Sequence, residues 1–188
     1  PSIAYEITFA DGRVESIYAA TRFPEYGVAA TVREPWLLGQ IISPPEYVGN
    51  IMNLLFDHEG SVLETEVLND GRNLVTIEMP LRELMRNFFD KLKNASSGYA
   101  SLSYEIAEMR AANVVRLDVL VAEELITAFS RVVGDRRAEF DARATVDKLY
   151  DNLPRQQYVT KIQAKVRGKI IASRTLSALK KDVTGYLY

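Results

Sequence analysis

Between residues 35 and 110 the spacing of apolar positions alternates between the two-residue period of strands and the longer period of helices. Strands are predicted at 36–42, 61–68, 73–79 and 98–106. A first helix is expected after Ser43 and Glu46, which have the spacing of a capping box, and a second from Pro80. The apolar faces of these elements are expected at Val48, Ile51, Met52 and Leu55, at Leu81, Leu84, Met85, Phe88, Phe89 and Leu92, and at Ala100, Leu102, Tyr104 and Ile106.

The predicted order of these elements is β-α-β-β-α-β, which is the ferredoxin-like split unit. Gly60 is expected to end the first helix, and Asn69-Asp70-Gly71 to form the turn between the second and third of these strands. Two amphipathic helices would then cover one face of a four-stranded antiparallel sheet.

The flanking segments follow other patterns. Before this unit, Asp11-Gly12 predicts a hairpin with a two-residue turn, and residues 21–34 are typical of a connector. After it, strands are predicted at 114–121 and 126–133. A long helix capped by Asp135 is then expected to end at Pro154, and a short one to begin at Ser173. Their apolar positions are Ala138, Ala142, Val146, Leu149 and Leu153, and then Leu176, Leu179 and Val183.

The predicted fold class is therefore α+β, with strands around one long helix in the second part. Three pieces are expected: residues 1–34, a ferredoxin-like domain at 35–110, and a second α+β domain at 111–188. The chain starts at Pro1 without a methionine, and we interpret it as a piece of a longer protein.

The stretch LPRQQYVTKIQAKVRGKIIASR, residues 153–174, is predicted to be a strand with one basic side. In an extended chain alternate residues share a face. The even-numbered side holds Tyr158, Thr160, Ile162, Ala164, Val166 and Ile170, a core pattern. The odd-numbered side holds Gln157, Val159, Lys161, Gln163, Lys165, Arg167 and Lys169, with Arg174, Lys180 and Lys181 just beyond, and carries no acid.

Charge is distributed unequally along the chain. Residues 1–110 carry 9 Lys and Arg against 16 Asp and Glu, whereas residues 155–188 carry 8 against 1. A solvated strand face explains the odd-numbered side as well as RNA binding does. RNA binding is favoured because a soluble face usually mixes signs, whereas lysine, arginine, amide and hydroxyl groups together suit RNA backbone and 2′-hydroxyl contacts.

Candidate chemistry elsewhere is sparse. The chain has no cysteine and one histidine, His58, which we expect at a helix end without a catalytic role. Glu64, Glu66, Glu78 and Glu83 are interpreted as solvated surface groups. No P-loop motif and no long apolar run occur. We therefore predict no catalytic residue, no metal site, no cofactor bound by these residues and no integral membrane segment.

The loop from Asn94 to Tyr99 admits two interpretations. Its small and polar residues suit an ordinary helix end and turn, which its spacing favours. In the alternative, Ser96, Ser97 and Gly98 present donors to phosphate, and Tyr99 stacks on a base.

Several motifs resemble the LepA (elongation factor 4) family of translational GTPases. In the last third they are Leu153-Pro154-Arg155-Gln156-Gln157-Tyr158, Ile162-Gln163-Ala164 and Gly168-Lys169-Ile170-Ile171-Ala172-Ser173-Arg174. Earlier motifs resemble the domain V of that family, which elongation factor G shares: Pro45-Glu46-Tyr47-Val48-Gly49, Phe88-Phe89-Asp90-Lys91-Leu92-Lys93 and Ser97-Gly98-Tyr99-Ala100-Ser101-Leu102-Ser103-Tyr104-Glu105. By resemblance the chain would hold the end of domain III, domain V and most of the C-terminal domain.

The chain departs from the family pattern at four places. Ala122-Glu123-Glu124 replaces an Asn-Gly-Glu turn, and Val133-Gly134-Asp135-Arg136 replaces a His-Arg-Asp-like stretch. Asp141-Ala142-Arg143 stands for Arg-Gly-Arg, and Gly185-Tyr186 stands where a basic residue is expected. Contacts that the family makes through those positions are therefore in doubt here.

The resemblance implies a role in translation, in back-translocation, fidelity or initiation. It implies ribosome binding through large-subunit RNA, transfer-RNA binding, no DNA binding, a monomer, and GTP and Mg²⁺ held by a domain outside this chain. It implies a cytoplasmic, ribosome-associated protein and allows peripheral association with the inner membrane. Contacts are expected first at Lys165, Arg167 and Lys169, then at Lys161, Gln163, Arg174, Lys180, Lys181, Arg155, Gln156 and Gln157. The alternative hypothesis is a ferredoxin-like metabolite sensor or small catalytic domain.

Overall fold

The computed structural model describes residues 3–180 and divides the chain into two compact units. The first contains residues 33–112 together with the described residues up to Glu6. The second contains residues 7–32 and the chain from Asn113 onward. The expected division at residues 34 and 110 stays a prediction.

A short hairpin begins the chain, with strands β1 (Tyr5–Phe9) and β2 (Val14–Ile17). The predicted two-residue turn is wrong, because the Phe9 N–H donates to the Arg13 carbonyl at 2.9 Å and leaves three residues in the loop. The third of these, Gly12, has φ +85°, which glycine adopts at little cost. The expected connector at 21–34 is also partly wrong, since its last six residues already belong to a strand.

The first unit confirms the ferredoxin-like order of elements. They are β3 (Ala29–Ser43), α1 (Val48–Asp57), β4 (Ser61–Val67), β5 (Asn73–Pro80), α2 (Leu81–Leu84), α3 (Phe88–Ala95) and β6 (Ser101–Ala111). Strands β5 and β6 lie antiparallel on either side of β3, and β4 pairs with the outer edge of β5. The core between sheet and helices contains the residues Leu37, Ile41, Ile51, Leu55, Val75, Ile77, Met79, Phe88 and Leu92.

Local details of this unit differ from the predictions. Ser43 and Glu46 form no capping box, because the Ser43 hydroxyl donates to the Pro44 carbonyl at 3.0 Å and α1 begins after a 3₁₀ turn. The second predicted helix is interrupted, since Asn87 has φ +58° between α2 and α3. Helix α1 ends through Glu59, at φ +57°, followed by Gly60, whose N–H donates to the Leu55 carbonyl at 2.7 Å.

Five side chains that were predicted to lie on apolar faces are exposed, and the first of them is Met52 on α1. Met85 and Phe89 lie at the break between α2 and α3 and just after it, where the helical face changes direction. Tyr104 and Ile106 lie on β6, an edge strand, and face the helical side beyond its cover. Helical and strand spacing alone did not reveal these interruptions.

The second unit is one antiparallel sheet with a long helix on one face. Its elements are β7 (Val114–Val121), β8 (Glu124–Leu125), β9 (Arg131–Gly134), α4 (Ala138–Asn152), β10 (Thr160–Val166) and β11 (Lys169–Leu176). The strand order is β11-β10-β7, and both β8 and β9 pair with the other edge of β7. Helix α4 packs on Leu117, Val119, Ile162, Ala164 and Val166 through Ala138, Ala142 and Val146.

Three predicted elements of this unit are wrong. Residues 126–133 are not one strand, because a 3₁₀ turn at Thr127–Phe129 precedes β9. Asp135 lies in a 3₁₀ turn before α4 and makes no helix-capping hydrogen bond. Ser173 lies within β11 and begins no helix, while the predicted position Val183 lies outside the described residues.

Candidate nucleic-acid interface

The basic stretch folds as a hairpin, which corrects the prediction of a single strand. Strand β10 ends at Val166, and β11 begins at Lys169. The two residues between them, Arg167 and Gly168, have φ +53° and +74°, as a two-residue hairpin turn of the primed type requires. The turn moves Lys169 and Arg174 onto a different strand from Lys161, so chain parity no longer relates these residues.

Three of the predicted residues share the exposed face of this hairpin. Lys161, Gln163 and Lys165 alternate with Thr160, Ile162, Ala164 and Val166, which are buried as predicted, the last three of them in the core under α4. On β11, Thr175 lies opposite Lys161, and Ser173 lies opposite Gln163. We call Lys161, Gln163, Lys165, Ser173 and Thr175 the outer hairpin face. It combines amines with amide and hydroxyl groups.

Two residues predicted to lie in the core are exposed instead. Tyr158 precedes the start of β10 and is 79 % exposed. Ile170 lies opposite Lys165 and therefore faces outward, because a bulge beside Ala164 shifts the register of β11. The outer hairpin face thus has an apolar neighbour at its turn end.

Arg174 and Lys169 do not belong to the outer hairpin face. Arg174 lies opposite the buried Ile162, so its side chain extends toward α4. There its guanidinium lies 3.5 Å from the centroid of the Tyr150 ring, and Nη1 lies 3.2 Å from the Asp147 carboxylate. Lys169 lies opposite Val166 at the end of the hairpin and is exposed. Arg174 therefore helps to attach β11 to the helix.

The neighbouring strand brings acid next to the basic face. Lys165 lies opposite Asp118 of β7. Asp118 is buried, accepts from Arg116 Nε at 3.0 Å and accepts from the Ser130 hydroxyl at 2.8 Å. The odd-numbered side of the stretch itself has no acid, as the sequence shows, but the folded sheet does not preserve this separation of charge.

Arg167 has a structural role at the turn. Its Nε donates to the Asp135 carboxylate at 2.8 Å, and Nη2 donates to the Asp135 carbonyl at 3.1 Å and to the same carboxylate. This ion pair stabilises a left-handed conformation that costs a non-glycine residue roughly 1 kcal/mol. Arg167 is therefore less available to RNA than its place in the sequence indicates.

The remaining predicted residues lie near the ends of the hairpin. Arg155, Gln156 and Gln157 are exposed ahead of β10, and the Gln156 carbonyl accepts from the Leu179 N–H at 2.9 Å. Lys180 is exposed beside this contact, whereas Lys181 lies outside the described residues.

A groove of about 490 Å³ opens beside the outer hairpin face, entirely within the second unit. Its walls come from residues 23–32, from β7 and from the Arg167 turn. Lys165 lines it together with the Arg116–Asp118 and Arg167–Asp135 pairs. Neither Arg116 nor Tyr26 was predicted as a site residue. Arg116 and Asp118 alternate within VVRLDVLV, and this pattern already indicates a polar strand face.

The loop between α3 and β6 directs most of its donors inward. The Ser96 hydroxyl donates to the Leu92 carbonyl at 2.8 Å and accepts from the Ala100 N–H at 3.0 Å. The Gly98 and Tyr99 N–H groups donate to backbone carbonyls at 2.7 and 3.0 Å. Tyr99 stays exposed, with its ring stacked 6.0 Å from the Tyr47 ring. These bonds are those of a helix end and turn, and a contact of this loop with phosphate stays a prediction.

A buried ion network lies in the first unit, where solvated carboxylates were predicted. Arg82 donates to both oxygens of Glu34 at 2.8 and 3.2 Å, to Glu59 at 2.6 Å and to Glu83 at 2.8 Å. Glu83 also contacts His58 Nδ1 at 3.0 Å and Arg86 at 3.1 Å. Glu64 and Glu66 are exposed as predicted, but the prediction is wrong for Glu83.

Burial and neighbouring charges act in opposite directions on these carboxyl groups. Burial raises the pKa of Glu34, although the Arg82 guanidinium beside it acts to lower the pKa. Burial also acts to raise the pKa of Glu83, but the His58 hydrogen bond and the two arginines hold it below the usual range. His58 ends α1 as predicted, yet it is fully buried against Phe88. The network joins α1, α2 and β3.

Metal-ligand groups and membrane-spanning helices were both sought in the part of the chain that the structure describes. No group of three or more histidine, cysteine, aspartate or glutamate residues within 3–180 is arranged to hold a metal ion. No helix in the same range is long and apolar enough to span a membrane.

Two family models of elongation-factor C-terminal regions match this chain, and the ferredoxin-like unit followed by a sheet-and-helix unit is consistent with both. Residues 31–120 match the family model described as "Elongation factor G C-terminus", and residues 121–188 match "GTP-binding protein LepA C-terminus". The chain belongs to the LepA, or elongation factor 4, family and corresponds to its C-terminal part.

Individual relatives support this assignment along the whole chain. The proteins named elongation factor 4 from Chlamydia pneumoniae and Chlamydia caviae are 38% and 36% identical over all 188 residues. The chain spans 31% of the length of each of these relatives. A crystal structure of a Thermus thermophilus protein aligns with 44% of this chain and 12% of its own, at 22% identity and a TM-score of 0.40, which is too low for inference.

Proposed function

We propose that this chain is the ribosome- and transfer-RNA-binding part of a translational GTPase, and that the outer hairpin face makes the RNA contact. Membership of the elongation factor 4 family supports the partner class. GTP and Mg²⁺ would be bound by regions that the longer relatives have beyond this chain. The parent would act in the cytoplasm on the ribosome as a monomer, with the chain itself free of catalytic residues.

The observation that carries this proposal is the pair of exposed amines on the outer hairpin face. Within the described residues, neither Lys161 nor Lys165 makes an ion pair, although the Arg116, Arg167 and Arg174 guanidinium groups all do. An unpaired amine that stands on a rigid strand loses few protein contacts when it binds a phosphate. Gln163, Ser173 and Thr175 add donors for sugar hydroxyls and phosphate oxygens.

This arrangement favours recognition of RNA by its backbone shape rather than by its base sequence. The outer hairpin face offers point charges and short polar groups, and these contact backbone without reading base edges. Such binding weakens steeply as salt rises, because each neutralised phosphate releases condensed counterions.

The test is charge reversal on the outer hairpin face. We expect Lys161→Glu with Lys165→Glu to weaken binding of the full chain to labelled transfer RNA and to ribosomes. The slope of log K against log salt should fall by about one per lost phosphate contact. Arg143→Glu with Lys148→Glu is the matched control, because it makes the same change of net charge at two exposed residues on α4 of the same unit. Equal affinity and slope for the double variant of the outer hairpin face and for the control would refute this assignment.

A further inference from the structure

The groove beside the outer hairpin face has the size and lining of a small-ligand site. Its volume of about 490 Å³ lies within the range of pockets that hold one small molecule. The wall opposite β7 includes the turn from Glu25 to Val28, in which the Val28 N–H donates to the Glu25 carbonyl at 3.1 Å. Gly27 has φ +86°, and this conformation lets the turn carry Tyr26 outward.

The charges of the groove are mostly satisfied by one another. Arg116 is paired with Asp118, and Arg167 with Asp135. Among the described groove residues this leaves one cation, Lys165, on β10 and one anion, Glu25, on the opposite turn. A long polyanion gains little from such a balanced lining. A ligand with one negative group and a separate set of N–H donors fits it better.

The two paired arginines are fixed donors. A guanidinium has five N–H bonds in a rigid plane. Arg116 uses Nε for Asp118 and Nη1 for the Phe23 carbonyl at 2.7 Å, and its Nη2 group lies outside these bonds. Arg167 uses Nε and Nη2 for Asp135, which leaves Nη1 outside those bonds. Because both side chains are already ordered, a ligand oxygen would meet their donors at a small entropic cost.

The rim of the groove carries an exposed aromatic ring. Tyr26 is 69 % exposed, and among the exposed aromatic side chains in the described part of this unit it is the one that lines the groove. Bases stack on exposed tyrosine rings without regard to their identity, and this stacking is a main source of affinity for unpaired nucleotides.

We infer that this groove binds a single unpaired nucleotide of RNA. The nucleotide's phosphate contacts Lys165, its base stacks on Tyr26, and Glu25 accepts from the amino group of cytosine, adenine or guanine. The inference rests on the proposed RNA-binding function and adds to it a second subsite, which shares Lys165 with the outer hairpin face. Uracil lacks an amino group, so the groove favours the other three bases.

The experiment compares two RNA probes with the full chain. One is a short blunt-ended RNA duplex, and the other is the same duplex with one unpaired 3′ cytidine; fluorescence anisotropy gives Kd for each. We expect the overhang to tighten binding by about five- to 150-fold, the range of base–aromatic stacking. Tyr26→Ala should remove this gain and leave the blunt-duplex Kd unchanged. Tyr18→Ala is the control, because Tyr18 is an equally exposed tyrosine, at 64 %, that does not line the groove.

A uridine overhang separates the role of Glu25 from that of stacking. We expect uridine to gain less than cytidine with the natural chain, and Glu25→Gln to reduce that difference. An overhang that adds nothing, or a gain that Tyr26→Ala leaves intact, overturns the groove site while the outer hairpin face stands. A chain that binds neither duplex overturns both proposals.

Discussion

Arg82 is the residue whose removal should destabilise the first unit most. Its side chain is 6 % exposed and donates four hydrogen bonds to three carboxylates, those of Glu34, Glu59 and Glu83. Arg82→Met removes the cation and leaves Glu34 and Glu83 buried as like charges. Loss of one partner from a buried ion pair costs about 3–5 kcal/mol. Glu59 is a third exposed and should contribute less to this cost.

The loss of stability in Arg82→Met should depend on pH, and the buried carboxylates determine whether it grows or shrinks as pH rises. Burial already raises the pKa of Glu34, and without Arg82 this pKa rises further. A group whose pKa is raised in the folded state contributes stability at low pH that is lost as pH rises through that folded value. The variant should therefore lose more stability, relative to the natural chain, at about pH 7.5 than at about pH 5.

Urea unfolding followed by Trp36 fluorescence measures this, because the single tryptophan lies on β3 of the first unit. Arg72→Met is the control, since Arg72 pairs with Asp70 on the exposed surface and its loss should change stability little. If Arg82→Met unfolds the unit outright, the double variant with Glu34→Gln should recover part of the loss. A loss no larger than that of Arg72→Met, or one equal at both pH values, would refute the reasoning.

Further predictions concern turns, caps and surface pairs. Gly168→Ala should lower stability in thermal unfolding by about 1 kcal/mol, because Gly168 has φ +74°. Gly49→Ala should raise stability by up to about 1 kcal/mol, because Gly49 lies in α1 with open space around it. Equal effects of the two substitutions would contradict this. Ser96→Ala should cost about 1–3 kcal/mol because it strands a buried backbone N–H, and exposed Ser101→Ala should be nearly neutral. Arg174→Ala should cost about 1 kcal/mol by loosening β11 from α4, with the urea midpoint from circular dichroism as the readout; an unchanged midpoint would exclude that attachment.

The order of elements in the first unit was predictable because its helices and strands bury continuous apolar faces. Strand β5 alternates between buried and partly buried residues from Leu74 to Met79, and Ile51 and Leu55 are buried at helical spacing as expected. The interruption at Asn87 was not predictable, since an asparagine in the left-handed region is set by the packing around it. The same holds for Glu59, whose side chain is held by Arg82 from another element.

The candidate site was predictable along one strand but not across the sheet. Alternation assigned Lys161, Gln163 and Lys165 to one face because side chains of a strand alternate by geometry. It failed beyond Val166, because the glycine of Arg167-Gly168 was not treated as a turn signal. Arginine rarely adopts the left-handed conformation, and its stabilising partner Asp135 lies 32 residues away in the sequence. Alternation also could not place Asp118 beside Lys165, since that neighbourhood depends on the register between β7 and β10.

The position of β7 also has a consequence for how the second unit forms during synthesis. Strand β9 follows β7 within about a dozen residues and can cover one edge of it early. Strand β10 pairs with the other edge only after α4 has been synthesised, so Leu117 has no strand partner on that edge until Val166 is made. At ribosomal rates of about 5–20 residues per second, this apolar strand has an open edge for roughly 2–10 seconds. Arg116 and Asp118 interrupt its apolar run, and such charges act as gatekeepers against intermolecular pairing. The same two side chains that later line the groove thus protect the nascent chain from aggregation.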